Sequence, residues 1–433
     1  MPAASILIKP VSSNCNIDCS YCFYKKLCRT RESYSLGRMS DETLEALVRS
    51  ACTYAEGLVS FAFQGGEPML AGLPFYRRAV ELERLYAPKG LIVENTIQTN
   101  GVLIDREWAQ FFAQEHFLVG VSLDGPKKLH GACRHAAGGG DTFPQVMNGL
   151  SLLARAGAAV NIATVVTEAA ASQASNLYRF YKRNGFRYVQ VIPCMGDSWA
   201  HGGDLRAAEN EYSVRPASWG RFLCELFDLW YEDFLAGEDL EIRTFSNLAQ
   251  MAAGFPAEEC GMNGRCTCYC VVEADGSVYP CDFYCTDAYR LGDISQPFAE
   301  LVNSPRARAF VAESAALPDA CRACPHLRLC RGGCRHFRLP DAERIPVPPS
   351  GAPSHLTLDA ASQEAAPRRE FAKANSQMRS ANWCGSTNSE TDDPPSGGSS
   401  NLNYLCEGYQ LFFSHCTDRI DHLGQMILAK FGR

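Results

Sequence analysis

Three cysteines stand close together near the start of the chain, in Cys15-Asn16-Ile17-Asp18-Cys19-Ser20-Tyr21-Cys22-Phe23-Tyr24, spaced C-x3-C-x2-C just after the first predicted strand. Such a loop can place three thiolates on three corners of a four-iron, four-sulfur cube, leaving one iron open to a small chelating molecule. The competing reading is a zinc knuckle or three incidental thiols. A structural zinc site wants a fourth Cys or His close by, and the first His of the chain is His116.

The chain that presents this loop has 433 residues, 46% of them hydrophobic, enough for two or three domains with a large buried core. A net charge of -7 without a basic cluster argues against partners that are nucleic acids or anionic membranes. The first residues lack a charged segment leading into a long apolar one, and no later apolar run approaches the roughly 18 residues of a membrane span. A cytoplasmic protein is expected. Cytosolic chains seldom keep disulfides, so the 21 cysteines point to metal ligation. Ten of them fall between Cys260 and Cys334, marking a second, C-terminal metal-binding module.

From Ser5 to about Pro193, β-rich runs alternate with amphipathic stretches. Strands are predicted at Ile6–Ile8, Val59–Phe63, Ile92–Ile97, Phe117–Ser122, Val160–Val166 and Tyr188–Ile192. Helices are predicted at Asp41–Tyr54, Pro74–Tyr86, Arg106–Gln114, Phe143–Arg155 and Ala174–Asn184. This alternation is the pattern of an α/β fold with a parallel sheet, open or curled into part of a barrel, with ligands bound at the carboxyl ends of the strands. Trp199–Gln250 reads as a helical bridge between domains.

Polar motifs fall at those strand ends. After the second strand comes Gln64-Gly65-Gly66-Glu67-Pro68, where glycines let backbone approach a ligand and a carboxylate suits an ammonium group. A glycine turn after a strand is common, so the motif says little by itself. The third strand ends in Gln98-Thr99-Asn100-Gly101 and the fourth in Ser122-Leu123-Asp124-Gly125-Pro126, followed by Arg134. Such groups can bind a ribose and a carboxylate, the latter best by Arg; the plain alternative is two turns and a solvated Arg. Met195, after the sixth strand, can pack on an adenine or belong to the core.

The second module runs Cys260-x5-Cys266, then x9 to Gly276 and x4 to Cys281, and later Cys321-x2-Cys324-x5-Cys330-x3-Cys334. Intervals this short let one loop offer several thiolates to one cluster, and the Asp275-Gly276 turn predicts a hairpin from Val271 to Tyr279 returning Cys281 towards Cys266. A zinc ribbon is the alternative, since C-x2-C pairs serve zinc equally well.

The C-x3-C-x2-C loop resembles the signature of the radical S-adenosylmethionine enzymes, and the second cysteine module resembles the SPASM domain of radical enzymes that modify peptides. The resemblance implies a partial (β/α)6 barrel over residues 1–235, a SPASM domain over 236–338, and a terminal helix over 401–433 that closes it. It implies S-adenosylmethionine held by Tyr21, Gln64, Gly65, Gly66, Glu67, Ser122, Arg134 and Met195, and cleaved to a 5′-deoxyadenosyl radical. It also implies three 4Fe-4S clusters. Cys15, Cys19 and Cys22 would hold the first; Cys260, Cys266, Cys281 and Cys334 an auxiliary one; Cys321, Cys324, Cys330 and Cys406 another.

Within that family the motifs look most like those of the anaerobic sulfatase-maturating enzymes. The likeness rests on CNIDCSYCFY, FQGGEP, QTNG, SLDGP with Arg134 behind it, and above all Val278-Tyr279-Pro280-Cys281-Asp282-Phe283-Tyr284. It implies oxidation of a Cys or Ser in a sulfatase polypeptide to Cα-formylglycine, with Asp282 as base, an electron donor such as ferredoxin or flavodoxin, and an anaerobic or facultative host. The chemistry agrees: a substrate radical becomes a thioaldehyde by losing a proton and an electron, and Asp282 adjoins a likely cluster ligand. An Asp that merely caps a turn is the alternative.

The 71 residues between Cys334 and Cys406 depart from the family pattern. Pro346–Gly351 and Thr391–Ser400 are rich in Pro, Gly, Ser and Asp, so 339–400 is expected to be a disordered insertion. Cys384 within it competes with Cys406 as last ligand. Cys268, Cys270 and Cys285 are spectators, alternative ligands or redox-active thiols. Two other functions remain open: a SPASM enzyme that forms thioether or carbon–carbon crosslinks in peptides, and a non-catalytic iron–sulfur electron carrier or zinc-stabilised adaptor. The latter would need neither Gln64–Pro68 nor Ser122–Pro126.

Overall fold

The computed structural model describes residues 4–196, 206, 208–338 and 402–431. Its central strands are apolar along their length because both faces are covered: Leu58–Phe63 is buried at every position after the first. The helices between strands bury one stripe each. In Asp41–Tyr54 this stripe is Leu44, Leu47, Val48 and Ala51, and Ser40 caps the helix by accepting the Thr43 N–H at 3.2 Å.

Six strands, Ala4–Ile8, Leu58–Phe63, Ile92–Thr99, Leu118–Ser122, Ala159–Val166 and Tyr188–Pro193, lie side by side in chain order, each parallel to the next. They form the wall of the expected partial (β/α)6 barrel, and their ends differ from the predicted ones by one or two residues. The expected hairpin also forms. Val271 pairs with Tyr279 and Val272 with Val278, around Gly276 at φ +89°. Asp275 closes the turn by accepting the Ser277 N–H and hydroxyl at 3.0 and 2.7 Å.

That hairpin does more than return the chain. Val271–Val272 runs parallel to the first barrel strand, with Leu7 opposite Val271 and Ile8 opposite Val272. The cysteine-rich module thus continues the barrel wall, giving one ten-stranded sheet. One core follows it, from Ile6 and Phe61 through Val272 to Phe412 and Leu423.

Trp199–Gln250 does not form a single helical bridge. Trp199 lies outside the described residues, and two helices follow, Pro216–Ala236 and Arg243–Ala252. They separate where Gly237 takes φ +84° and Glu241–Ile242 joins the sheet beside Tyr188–Pro193. Together they hold the C-terminal helix, Cys406–Phe431, whose Phe412 ring packs 5.9 Å from those of Phe227 and Phe245. The backbones meet directly: a Cβ on Gly408 would lie 2.2 Å from the Pro216 carbonyl oxygen. Tyr404 N–H donates to the Phe337 carbonyl at 2.7 Å, which brings the chain before 339 against the chain after 401. The insertion expected over 339–400, and Cys384 with it, lie outside the described residues. Among the described residues no helix is long and apolar enough to cross a membrane.

Candidate active site

The barrel mouth gathers the motifs that the sequence scatters. Cys19 ends the short strand Ile17–Cys19, which pairs antiparallel with Arg134–Ala136 so that Cys19 stands opposite Arg134. Cys22 caps the Phe23–Cys28 helix, its Sγ accepting the Lys25 N–H at 3.4 Å, and Cys15 is exposed with Asn100 Nδ2 3.9 Å from its sulfur. Burial pushes the Cys19 thiol up to about 12, against the opposing pull of Arg134 and with smaller contributions from Cys22 and Cys15. The three thiols are thus near enough to act on one another electrostatically.

Beside them lies a buried polar group. Tyr21 donates its hydroxyl hydrogen to Asp124, and Arg134 Nη1 donates to the Tyr21 oxygen at 2.7 Å. Asp124 accepts the Val165 N–H at 3.1 Å, which ties the assembly to the fifth barrel strand. Arg134 Nε is buried without a hydrogen-bond partner. Ser122 accepts from Gln98 Nε2 at 3.0 Å, joining the ends of the third and fourth barrel strands, and half-buried Met195 packs against the core just past the sixth.

The glycine loop is built tightly. Gly65 and Gly66 have φ of +106° and +53°, and a Cβ on Gly66 would sit 2.1 Å from the Asn14 carbonyl oxygen. Glu67 is fully buried, and its carboxylate accepts the Met69 N–H at 3.0 Å, the Thr99 hydroxyl at 2.8 Å and the Asn100 N–H at 2.7 Å. Burial lifts this carboxyl to about 7, with the three hydrogen bonds pulling the other way. Glu67 pins the glycine loop to the third strand. Gln64 turns elsewhere: its Nε2 donates to Asp282 Oδ2 at 2.9 Å.

Asp282 therefore stands at the junction of the two modules. It is 6% exposed, and Lys9 Nζ, from the end of the first strand, lies 2.5 Å from its Oδ1. Lys9 is fully buried and sits 3.7 Å over the Tyr24 ring. Burial works against its charge, but Asp282 and neighbouring anionic groups outweigh it and raise Lys9 above the usual ammonium range. Tyr24 donates to Glu273, which Arg31 Nη2 also meets at 2.7 Å. On the other side, Tyr269 links the carboxylate's residue to its neighbour, with its hydroxyl 3.4 Å from Cys281 Sγ and accepting the Asp282 N–H at 3.3 Å.

The remaining cysteines divide into two sets. Burial and then Cys260, Cys334 and Cys266 raise the Cys281 thiol, while Cys334 is pushed up to about 12 by burial with Cys260 and Cys266 beside it. Cys330 is raised to about 11 by burial, with Cys406, Cys321 and Cys324 around it. Cys406 begins the C-terminal helix, as expected. Cys268 hydrogen-bonds Cys270, and Cys285 Sγ donates to the Cys281 carbonyl at 3.5 Å. Among the described residues, no three Cys, His, Asp or Glu side chains lie close enough to hold a single ion.

The model of the radical SAM superfamily matches residues 10–168, and that of an iron–sulfur cluster-binding domain, SPASM, matches 260–325. A cysteine-type anaerobic sulfatase-maturating enzyme of Clostridium perfringens is 44% identical over 339 residues, covering 78% of this chain and 90% of that one. The chain belongs to the anaerobic sulfatase-maturating enzymes. A serine-type member from Bacteroides thetaiotaomicron is 30% identical across 98% of this chain and 92% of its own. The solved structure of native anSMEcpe with bound AdoMet and Cp18Cys peptide superposes with a TM-score of 0.78 at 35% identity, covering 98% of this chain and all of that one.

This member of the family is a radical SAM oxidoreductase that uses S-adenosylmethionine and 4Fe-4S clusters. Its residues fit those groups: three neighbouring thiols, an unpartnered buried Arg134 Nε suited to a carboxylate, and a cradle at Gly66 that a methyl group would fill. Gly66→Ala should push back the Asn14 carbonyl and with it Cys15. The expected result is loss of one cluster's iron, together with the spectral response to S-adenosylmethionine; full iron and an unchanged response would contradict this.

The sequence reading did not single out Lys9, Tyr24 or Glu273 as parts of this site, and it held Asp124 only within the Ser122–Pro126 motif. Lys9 had a signal, since it ends an apolar strand of a parallel sheet, the edge where ligands and chemistry gather.

Proposed function

We propose that the enzyme oxidises a Cys, in preference to Ser, in a sulfatase polypeptide to Cα-formylglycine, with Asp282 as the general base. The buried carboxylate beside Cys281, held by Lys9 on one oxygen and Gln64 on the other, carries this reading. When bound, S-adenosylmethionine and its cluster supply the radical that removes one hydrogen atom from the target Cβ, and the auxiliary clusters take up the electron that follows.

The chain's own residues handle the proton. As the Cβ–S bond becomes a double bond, the thiol hydrogen leaves as a proton to an Asp282 oxygen. Lys9 and Gln64 bind different oxygens of that carboxylate and so fix its plane without filling all its lone pairs. Water then converts the thioaldehyde to the aldehyde and releases hydrogen sulfide. Arg134 is assigned to the methionine carboxylate; Gly65 and Gly66 to backbone approach; Tyr21, Gln64, Glu67 and Ser122 to shaping the pocket; and Met195 to the adenine.

Three clusters are assigned, on Cys15, Cys19 and Cys22, on Cys260, Cys266, Cys281 and Cys334, and on Cys321, Cys324, Cys330 and Cys406. A cytoplasmic ferredoxin or flavodoxin is assigned as the electron donor. Preference for Cys has two supports. A thiol, with a reference pKa of about 8.5, yields its proton to a carboxylate far more readily than a hydroxyl does, and the cysteine-type relative is 44% identical against 30% for the serine-type one.

Two synthetic peptides differing only in Cys or Ser at the target test the preference under anaerobic turnover. The expected kcat/KM is at least about tenfold higher for Cys, a difference of about 1.4 kcal/mol in transition-state stabilisation. Equal values, or a higher one for Ser, would remove the preference.

A further inference from the structure

The linker between the two auxiliary cysteine sets is unusually short. Cys330 belongs to one set and Cys334 to the other, and only Arg331-Gly332-Gly333 separate them. Gly332 and Gly333 take φ of +82° and +67°, turning their carbonyls towards one side chain, that of Arg338. Its Nε donates to the Gly332 carbonyl at 3.4 Å and its Nη2 to that of Gly333 at 3.3 Å. Its Nη1 reaches the carbonyls of Ser314 at 2.6 Å and Ala316 at 3.1 Å. Ser314 in turn accepts the N–H of Cys266, a ligand of the first set, at 2.6 Å. The backbone of Arg338 bridges to Asn403, three residues before Cys406 of the second set.

Among the described residues every hydrogen-bond partner of this guanidinium is a carbonyl. Neighbouring Arg335 pairs with Glu313 at 2.6 Å, whereas among the described residues Arg338 makes no ion pair. A half-buried cation held only by carbonyls keeps its charge available to an anionic group beside it. Burial weakens the guanidinium's hold on its proton, and the opposing pull comes from Cys266 and Cys334 on one side and Cys321 on the other. Thiolate-ligated clusters carry net negative charge that grows on reduction, and charge close to a cluster sets its potential.

We infer that Arg338 is the shared electrostatic partner of both auxiliary clusters, a positioning residue whose charge stabilises their reduced states together and so makes the pair a better electron sink. The inference rests on the three-cluster assignment above. Because the cation stands at the Gly332-Gly333 link, its effect should fall on both clusters at once and spare the one at Cys15, Cys19 and Cys22.

The test is an EPR-monitored redox titration of the full reconstituted chain, comparing wild type with Arg338→Gln and Arg338→Lys; the N-terminal cluster is recognised by its response to S-adenosylmethionine. In Arg338→Gln both auxiliary couples should shift negative by at least a tenfold change in the reduction equilibrium, about 59 mV for one electron. The N-terminal couple should stay in place, and Arg338→Lys should recover most of the shift. Unmoved potentials, a shift confined to one auxiliary cluster, or failure of Lys to restore them would overturn the inference. So would loss of auxiliary iron from either variant, which would make Arg338 a strut for the ligand loops. A wild-type protein without two auxiliary signals would instead remove the cluster assignment itself.

Discussion

Asp282→Asn is expected to slow peptide oxidation by on the order of a thousandfold while 5′-deoxyadenosine still forms in the presence of peptide. Asn keeps the size of the side chain and can still meet Gln64, but it cannot take the proton that must leave sulfur as the double bond forms. The change also leaves the Lys9 ammonium buried without its carboxylate, and breaking such a pair costs about 3–5 kcal/mol. A lower unfolding temperature is therefore expected alongside the lost turnover. Nucleoside formation separates the two effects, because it requires an intact N-terminal cluster and bound S-adenosylmethionine. Peptide oxidation within a few-fold of wild type would show that another group takes the proton.

The second large effect is expected far from the barrel mouth. In Gly408→Val the new side chain would lie 2.2 Å from the Pro216 carbonyl at its first carbon, so the C-terminal helix must move off its neighbour. The clash is with backbone, which cannot swing aside as a side chain would, and overpacking of this kind costs about 1–3 kcal/mol or more. Gly408 is two residues from Cys406, so the displacement reaches the residue proposed as last ligand of the second auxiliary set. The expected protein loses one cluster's worth of iron and sulfide, keeps the response of its N-terminal cluster to S-adenosylmethionine, and loses most peptide oxidation. Full iron with normal turnover would mean that Cys406 is not a ligand.

The barrel strands and the cysteine-rich module are legible because their signals are local, whereas the grouping of the cysteines into two sets rests on the resemblance alone. Apolar runs such as Val59–Phe63 announce covered strands, and intervals of two to five residues bring thiols together wherever the loop folds. What the sequence conceals is long-range. Lys9 and Asp282 are 273 residues apart in number and meet because Val271–Val272 pairs with Ala4–Ile8. A strand of two residues carries no pattern from which that pairing could be read. Arg31 and Glu273 are hidden for the same reason. Gly220 and Gly408 look like weak points in helices by propensity, yet their lack of a side chain is what lets two helices touch. Gln64 is hidden in the same way: its amide donates to Asp282, 218 residues further along the chain.

The most direct test of the account is the mass of a Cys-x-Pro-x-Arg peptide after anaerobic incubation with the reconstituted wild-type protein, S-adenosylmethionine and dithionite, read together with 5′-deoxyadenosine. The account predicts a product lighter by the difference between a CH2SH and a CHO group, forming with one nucleoside per aldehyde. Nucleoside without that product would contradict formylglycine synthesis, and no nucleoside from a protein with its clusters intact would contradict the radical chemistry itself.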